Sequence, residues 1–382
     1  VTETYKQLDR LLSAKGDQPL SPQRRDILAE QIIRQAARPT NIDQGQHNTC
    51  SMASVETRMY NRNPSDAAKL VTDVALTGHY TNSDGIRVTI NPGPHGESRP
   101  RKTADGDRTH ASEIFQVTSA NLHVEMENRK TDPKGQLRYE QHPTKPGSGD
   151  TGEHIIDYGV KPPKLLENDP RINDGNMGNL RDVYTSITGK AEKNIVVAKE
   201  RDGLDLSDGI KRVNSEKEFS DVLAKAKKDG KLPLLLSVDA NLEPFWTDSG
   251  GGTAGGSGGG HMVTVTDYKP GNPAQVAVDN QWNKVSDHLS KTLSVHDLYA
   301  TMGDNAQAIT SLEQDLNAAR KAGHPDTFKE LDLARLKLKE ETITPQDYER
   351  EIARLIKDVA KAPAGAARDR LNDKLANDMT EL

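Results

Sequence analysis

With 382 residues, the chain is long enough to bury a large core. It is nevertheless poor in apolar residues, at 33% hydrophobic, 4% aromatic and a mean hydropathy of -0.77, so a compact core with polar loops and solvated helices is expected. The net charge of -6, with both signs well mixed, argues against a general nucleic-acid or membrane-surface binder, and no apolar run approaches the ~18 residues of a membrane span.

In chain order, residues 1–39 read as an N-terminal helical arm. Tyr5, Leu8, Leu11 and Leu12 fall at helical spacing, Ser21-Pro22 is a helix start, Ile27, Ile32 and Ile33 follow, and Arg38-Pro39 closes the arm. The segment from Val1 reads as part of a processed product or fragment, since it opens with neither methionine nor a signal-peptide pattern. Residues 40–49 are loop-like. A helix is expected from Thr49, with Met52, Val55 and Met59 on one stripe, and a second one through Ala67, Leu70, Val71 and Val74, closed by Thr77-Gly78.

The segment 80–180 has a different character and reads as a β-rich insertion. Ile86–Ile90 alternates as a strand, as do parts of Ile114–Val117 and Leu122–Met126, with turn-rich polar pieces between them. The basic stretch Arg99–Lys102 has no interleaved aromatic residues and reads as a solvated loop. Beyond it, helices are expected over 179–187 and from a capping box at Ser215–Glu218 through Lys228, with buried strands at 194–198 and 232–238. Ser249–Gly260 is a glycine-rich loop and lacks the strand–loop–helix context of a nucleotide site. It is read as a mobile gate, one whose shortening changes substrate turnover. It feeds a hairpin: His261–Tyr268 alternates as a strand, 269–273 turns, and Gln275–Asn280 returns. From Ser294 on, three amphipathic helices are expected, around Ile309–Ala319, Phe328–Lys339 and Tyr348–Val359, forming a C-terminal region (294–382) that offers a surface for a protein partner.

One constellation carries chemistry. Cys50, the only cysteine, heads a predicted helix, whose N-terminus favours a thiolate. His261 begins a buried strand, and Asn280 ends the strand that hairpins back onto it, so the two are within reach of each other. An imidazole beside a thiol takes its proton, and an amide oxygen fixes the imidazole's tautomer. Gln44, six residues before Cys50, offers an oxyanion donor beside the Cys50 backbone N–H. Asp279 competes with Asn280 as the orienting group, but the two point to opposite sheet faces, so only one can serve.

Gln44-Gly45 ahead of Cys50, His261-Met262-Val263-Thr264-Val265 and Asn280-Gln281-Trp282 together resemble the active-site motifs of papain-like cysteine peptidases. The resemblance covers about half of the chain. It implies an α+β, papain-like two-lobe fold over 40–293, with a helical lobe opening at Cys50 and an antiparallel sheet lobe bearing His261 and Asn280. It further implies Cys50 as nucleophile, His261 as base and acid, Asn280 as orienter, Gln44 as oxyanion donor and Trp282 as the ring shielding the Asn–His bond. Asn48 and Thr49 stand where Gly-Ser is usual, and Ser51 where Trp is usual. The function implied is hydrolysis of peptide or isopeptide bonds in a protein or peptide substrate. A transglutaminase- or acyltransferase-like enzyme and an inactive binding module remain as alternatives. No histidine shows HExxH or paired Cys/His spacing, so no metal or other cofactor is expected. A single cysteine rules out an internal disulfide, and the expectation is a soluble chain, cytoplasmic or secreted without disulfides.

Overall fold

A computed structural model describes residues 2–45, 47–92, 108–131, 136–142, 152–168, 170, 178–199, 210–239, 242, 244–245, 260–281, 291–302 and 344–361, with isolated positions between 313 and 337. The architecture is mixed α+β, with helices packed on a six-stranded sheet and a separate three-stranded antiparallel sheet.

The arm forms α1 (Thr2–Ser13) and α2 (Pro22–Ala37), the second starting on its proline as the Ser-Pro pair predicts. Leu8, Leu11, Leu28 and Ile32 are buried in the same apolar cluster as the central helices, whereas Tyr5 and Leu12 face solvent. The buried Arg25 guanidinium donates to the carbonyls of Ala14 (2.8 Å) and Leu20 (3.2 Å) and so closes the turn between the two helices.

The central element is α3 (Cys50–Arg62). Its Met52, Ala53, Val55 and Met59 are fully buried, as the stripe predicts, but so are Ser54, Glu56, Thr57 and Arg58, because helices cover one side of it and the sheet the other. Arg58 anchors the far end of the helix. It donates to the carbonyls of Lys231 (2.9 Å) and Pro233 and pairs with Glu192 at 2.6 Å. Next come α4 (Pro64–Thr77), ended by Gly78 in the left-handed region, and a small hairpin of β1 (His79–Thr81) and β2 (Arg87–Thr89).

The strands expected within 114–126 are instead one helix, α5 (His110–Thr131). Buried residues surround its axis: Ile114, Phe115, Val117 and Leu122, but also Ser112, Gln116, Thr118 and Ser119. A helix enclosed on every side carries no apolar stripe, and its short apolar fragments then imitate strand alternation. The three-stranded sheet follows: β3 (Leu137–Gln141), β4 (Glu153–Asp157) and β5 (Lys164–Asn168), in that spatial order. Asn121 of α5 fastens it, donating to Tyr139 O at 2.8 Å and accepting from Tyr139 N–H at 3.0 Å.

The remaining elements are α6 (Gly178–Thr188), β6 (Val196–Lys199), β7 (Lys211–Val213), α7 (Glu216–Lys228), β8 (Leu234–Asp239), β9 (Gly260–Lys269), β10 (Gln275–Asp279), β11 (Lys291–Ser294), α8 (Val295–Thr301) and α9 (Pro345–Lys361). Ser215 caps α7 as predicted, accepting from Glu218 N–H at 3.1 Å. The six strands lie in the order β11-β10-β9-β8-β6-β7. From β11 to β8 they are antiparallel, as expected for the strand bearing His261, whereas β6 pairs parallel with both β8 and β7. The sheet is therefore mixed, not purely antiparallel. Alternation along the strands divides the core into two layers. Val196, Leu235 and Met262 pack with the α3 side, and Val197, Leu234, Leu236, Val263 and Val265 pack against Phe219 and Leu223 of α7 and Leu298 of α8. Each such aliphatic or aromatic side chain contributes about 1.5–3 kcal/mol by burial.

In the C-terminal region, the described part of α9 buries Tyr348, Ile352 and Leu355 on one face as predicted, and Glu330 is bridged by Arg320 (2.8 Å) and Arg354 (2.7 Å). Ile309, Leu312, Phe328 and the tail beyond 361 lie outside the described residues, as do Arg99–Lys102 and 249–259 of the glycine-rich loop. Among the described residues, no helix is long and apolar enough to cross a membrane.

Candidate active site

Cys50 is the first residue of α3. The preceding Thr49 makes no side-chain cap; its hydroxyl turns into the core and donates to Gln116 Oε1 at 2.8 Å. The first-turn amides are thus left to the sulfur, as helix geometry provides. Backbone N–H groups of Ser51, of Cys50 itself and of Met262 all favour a negative charge there. Met262 directly follows His261, so α3 presents its thiol to the start of β9. Cys50 is half-buried and packs against the core.

His261 is buried, and opposes Val238 of β8. Its Nε2 lies 2.7 Å from Asn280 Oδ1, just past the end of β10. An amide oxygen only accepts, so Nε2 carries the proton, and the lone pair of the neutral ring sits on Nδ1. The sheet reaches this pairing through a bulge. Ala277 opposes Asp267, but Val278 opposes Val265, which leaves Thr266 as the extra residue; its hydroxyl donates to Ala277 O at 3.2 Å. Beyond the bulge, Val263, Val265 and Val278 share one face, and alternation places His261 and Asn280 on that same face. Asp279 pairs with Thr264 on the other face, where it accepts from Thr57 of α3 (3.4 Å) and Gln281 (3.0 Å). Between the two candidates for orienter, His261 therefore bonds Asn280.

Gln44 is buried, and its Nε2 donates to His47 O at 3.0 Å, while its Oε1 has no hydrogen-bond partner among the described residues. Its backbone N–H donates to Gln281 O at 3.1 Å, which stitches the loop before Cys50 to the end of the hairpin. Gly45 has φ +68, and a Cβ there would lie 2.9 Å from Arg108 Cδ, so glycine is required on both counts. Trp282 lies outside the described residues.

Several residues that the sequence gave no reason to single out complete the site. Gln281 donates to Thr264 Oγ1 (2.6 Å) and accepts from Ser54 of α3 (3.1 Å), tying helix to hairpin. Its only signal was its place beside Asn280. Glu153 of β4 is fully buried; it accepts from Asn48 N–H at 2.9 Å and from Tyr139 Oη at 2.5 Å. Glu56 of α3 accepts from Ser112 (3.0 Å) and Gln116 (2.9 Å) of α5.

Burial dominates the electrostatics. It pushes the Cys50 thiol up, with the Glu153 charge adding to the effect and the three amides opposing it. Burial pulls His261 down to about 4, against the Asn280 hydrogen bond. Around neutral pH the thiol is therefore protonated and the imidazole is neutral, the form that accepts a proton. Burial likewise raises Glu56 to about 7 and Asp279 to about 8.

Comparison with protein-family models, curated proteins and solved structures returned no match for this chain.

Proposed function

We propose that the chain is a papain-like thiol hydrolase that cleaves peptide or isopeptide bonds, with the helical layer and the His261-bearing sheet as the two sides of its cleft. The observation that carries this reading is the Cys50 sulfur set against the amide next to His261, whose Nε2 is held 2.7 Å from Asn280 Oδ1. In this mechanism Nδ1 of His261 takes the thiol proton as sulfur attacks the carbonyl carbon. The oxyanion that forms is met by the Cys50 N–H and by the second N–H of the Gln44 amide, the first being committed to His47 O. His261 then protonates the leaving amine, and water hydrolyses the thioester. Because burial favours the uncharged pair, proton transfer accompanies attack instead of preceding it, and the helix-end amides stabilise the sulfur as charge develops.

An electrophilic peptide probe tests the proposal. Native protein is expected to be labelled, Cys50→Ala not at all, and His261→Ala about 10²–10⁴-fold more slowly. Labelling that is indifferent to His261 would overturn it. Running hydrolysis with an added amine distinguishes water from an amine as acceptor.

A further inference from the structure

We propose that Glu153 is a positioning residue for the Cys50 thiol, reaching the site from the three-stranded sheet to hold the loop before the nucleophile and to keep a carboxylate beside the sulfur. The inference rests on Cys50 being the working thiol. Glu153 is the first residue of β4 and is fully buried. Its Oε2 takes the N–H of Asn48, two residues before Cys50, and its Oε1 takes the hydroxyl of the buried Tyr139. Behind that hydroxyl stands a relay: Gln141 donates to Tyr139 Oη at 2.8 Å, and Arg108 donates to Gln141 Oε1 at 2.9 Å. Arg108 in turn packs over Gly45, at the other end of the same loop. The loop is thus gripped at both ends by one buried network rooted in β3 and β4.

A carboxylate buried this completely is costly unless it is hydrogen-bonded. A neutral glutamine could accept from Asn48 equally well, so holding the loop alone does not require a charge. What the charge adds is an effect on the nearby sulfur, whose ionisation Glu153 opposes. Titratable and charged groups that meet this point include Tyr139 from β3, Arg108 through Gln141 and Cys50 from α3. The expected consequence is a thiol kept protonated at rest and activated only when a bound carbonyl accepts the developing charge.

The test is the pH dependence of Cys50 alkylation by iodoacetamide in the full chain. Glu153→Gln keeps the acceptor for Asn48 and removes the charge; the inflection is expected to move down by about one pH unit. Tyr139→Phe removes the hydroxyl that shares the charge and is expected to move the inflection up, which also serves if Glu153→Gln does not fold. Unshifted inflections in the folded variants would overturn the assignment. The readout follows the thiol and not turnover, so it separates from the hydrolase reading. A shift without any His261-dependent probe labelling keeps the Glu153 role and discards the hydrolase; labelling without a shift does the reverse.

Discussion

Asp279 stands one residue from Asn280 and differs from it by a single group, yet it serves a different purpose. It sits between sheet and α3 and accepts from Gln281 and Thr57, with its pKa raised by burial to about 8. Its native form therefore holds a proton that the unfolded chain releases at its ordinary value of about 3.9. Stability from this group is full below about 4 and is lost as pH rises through about 8. Glu56, raised to about 7, acts with the same sign. His261, lowered to about 4, acts oppositely: its contribution is present above about 6.5 and is lost as pH falls toward about 4. Each group contributes a slope of at most about 1.4 kcal/mol per pH unit. Asp279→Asn is expected to flatten the decline between about pH 4 and 8 while leaving the opposing His261 contribution intact. Urea unfolding from acid to mildly alkaline pH checks this, and a variant whose decline matches the native one would refute it.

At the scale of elements, α5 links the candidate site to the three-stranded sheet. Gln116 meets both Thr49 and Glu56, and Asn121 holds the backbone of Tyr139. Asn121→Ala strands a buried N–H and C=O, each costing about 1–3 kcal/mol. The expected outcome is a destabilised chain in which Tyr139 amide exchange accelerates before that of β9, as read by native-state hydrogen exchange. Equal acceleration in both would mean that the sheet has no separate dependence on Asn121. The helix itself was not legible in the sequence. Many of its polar positions are buried alongside the apolar ones, so neither a period of 3.6 nor one of 2 stands out across 110–131. The β9–β10 hairpin was legible, because its apolar residues alternate and a Pro-Gly turn separates them. The site divides the same way. Cys50, His261, Asn280 and Gln44 stand in segments that resemble motifs of known spacing, whereas Glu153 follows a turn-rich segment in which nothing local marks it as buried.

Over the whole molecule, the helices around α3, including the N-terminal arm, share one apolar cluster with the helix-facing side of the large sheet. Leu11 of α1 is fully buried within this cluster, whereas Tyr5, two turns before it, is 60% exposed. Leu11→Ala is expected to cost about 2–5 kcal/mol in denaturant unfolding, and Tyr5→Ala less than about 0.5 kcal/mol. Comparable losses for both would place the arm differently from the packing described. What composition foretold at this scale was a limited core with polar surroundings. It did not foretell that many polar groups, among them Glu56, Arg58, Glu153 and Asp279, would lie inside it, because pairing between distant segments is invisible to a hydropathy sum.

The extra residue in β9 has a consequence for chemistry. Thr266 acts as a phase shift of one half-period between the turn and the far end of the hairpin. Were the two strands to run in step, His261 would share a face with Asp279 and Asn280 would look away from it. The histidine would then face an acid in place of an amide, and the charge balance around the imidazole would change with no substitution near it. The identity of the group behind the imidazole is thus written in the counting of residues toward the turn of the hairpin, where an insertion or deletion of one residue changes the partner of His261 by remote register.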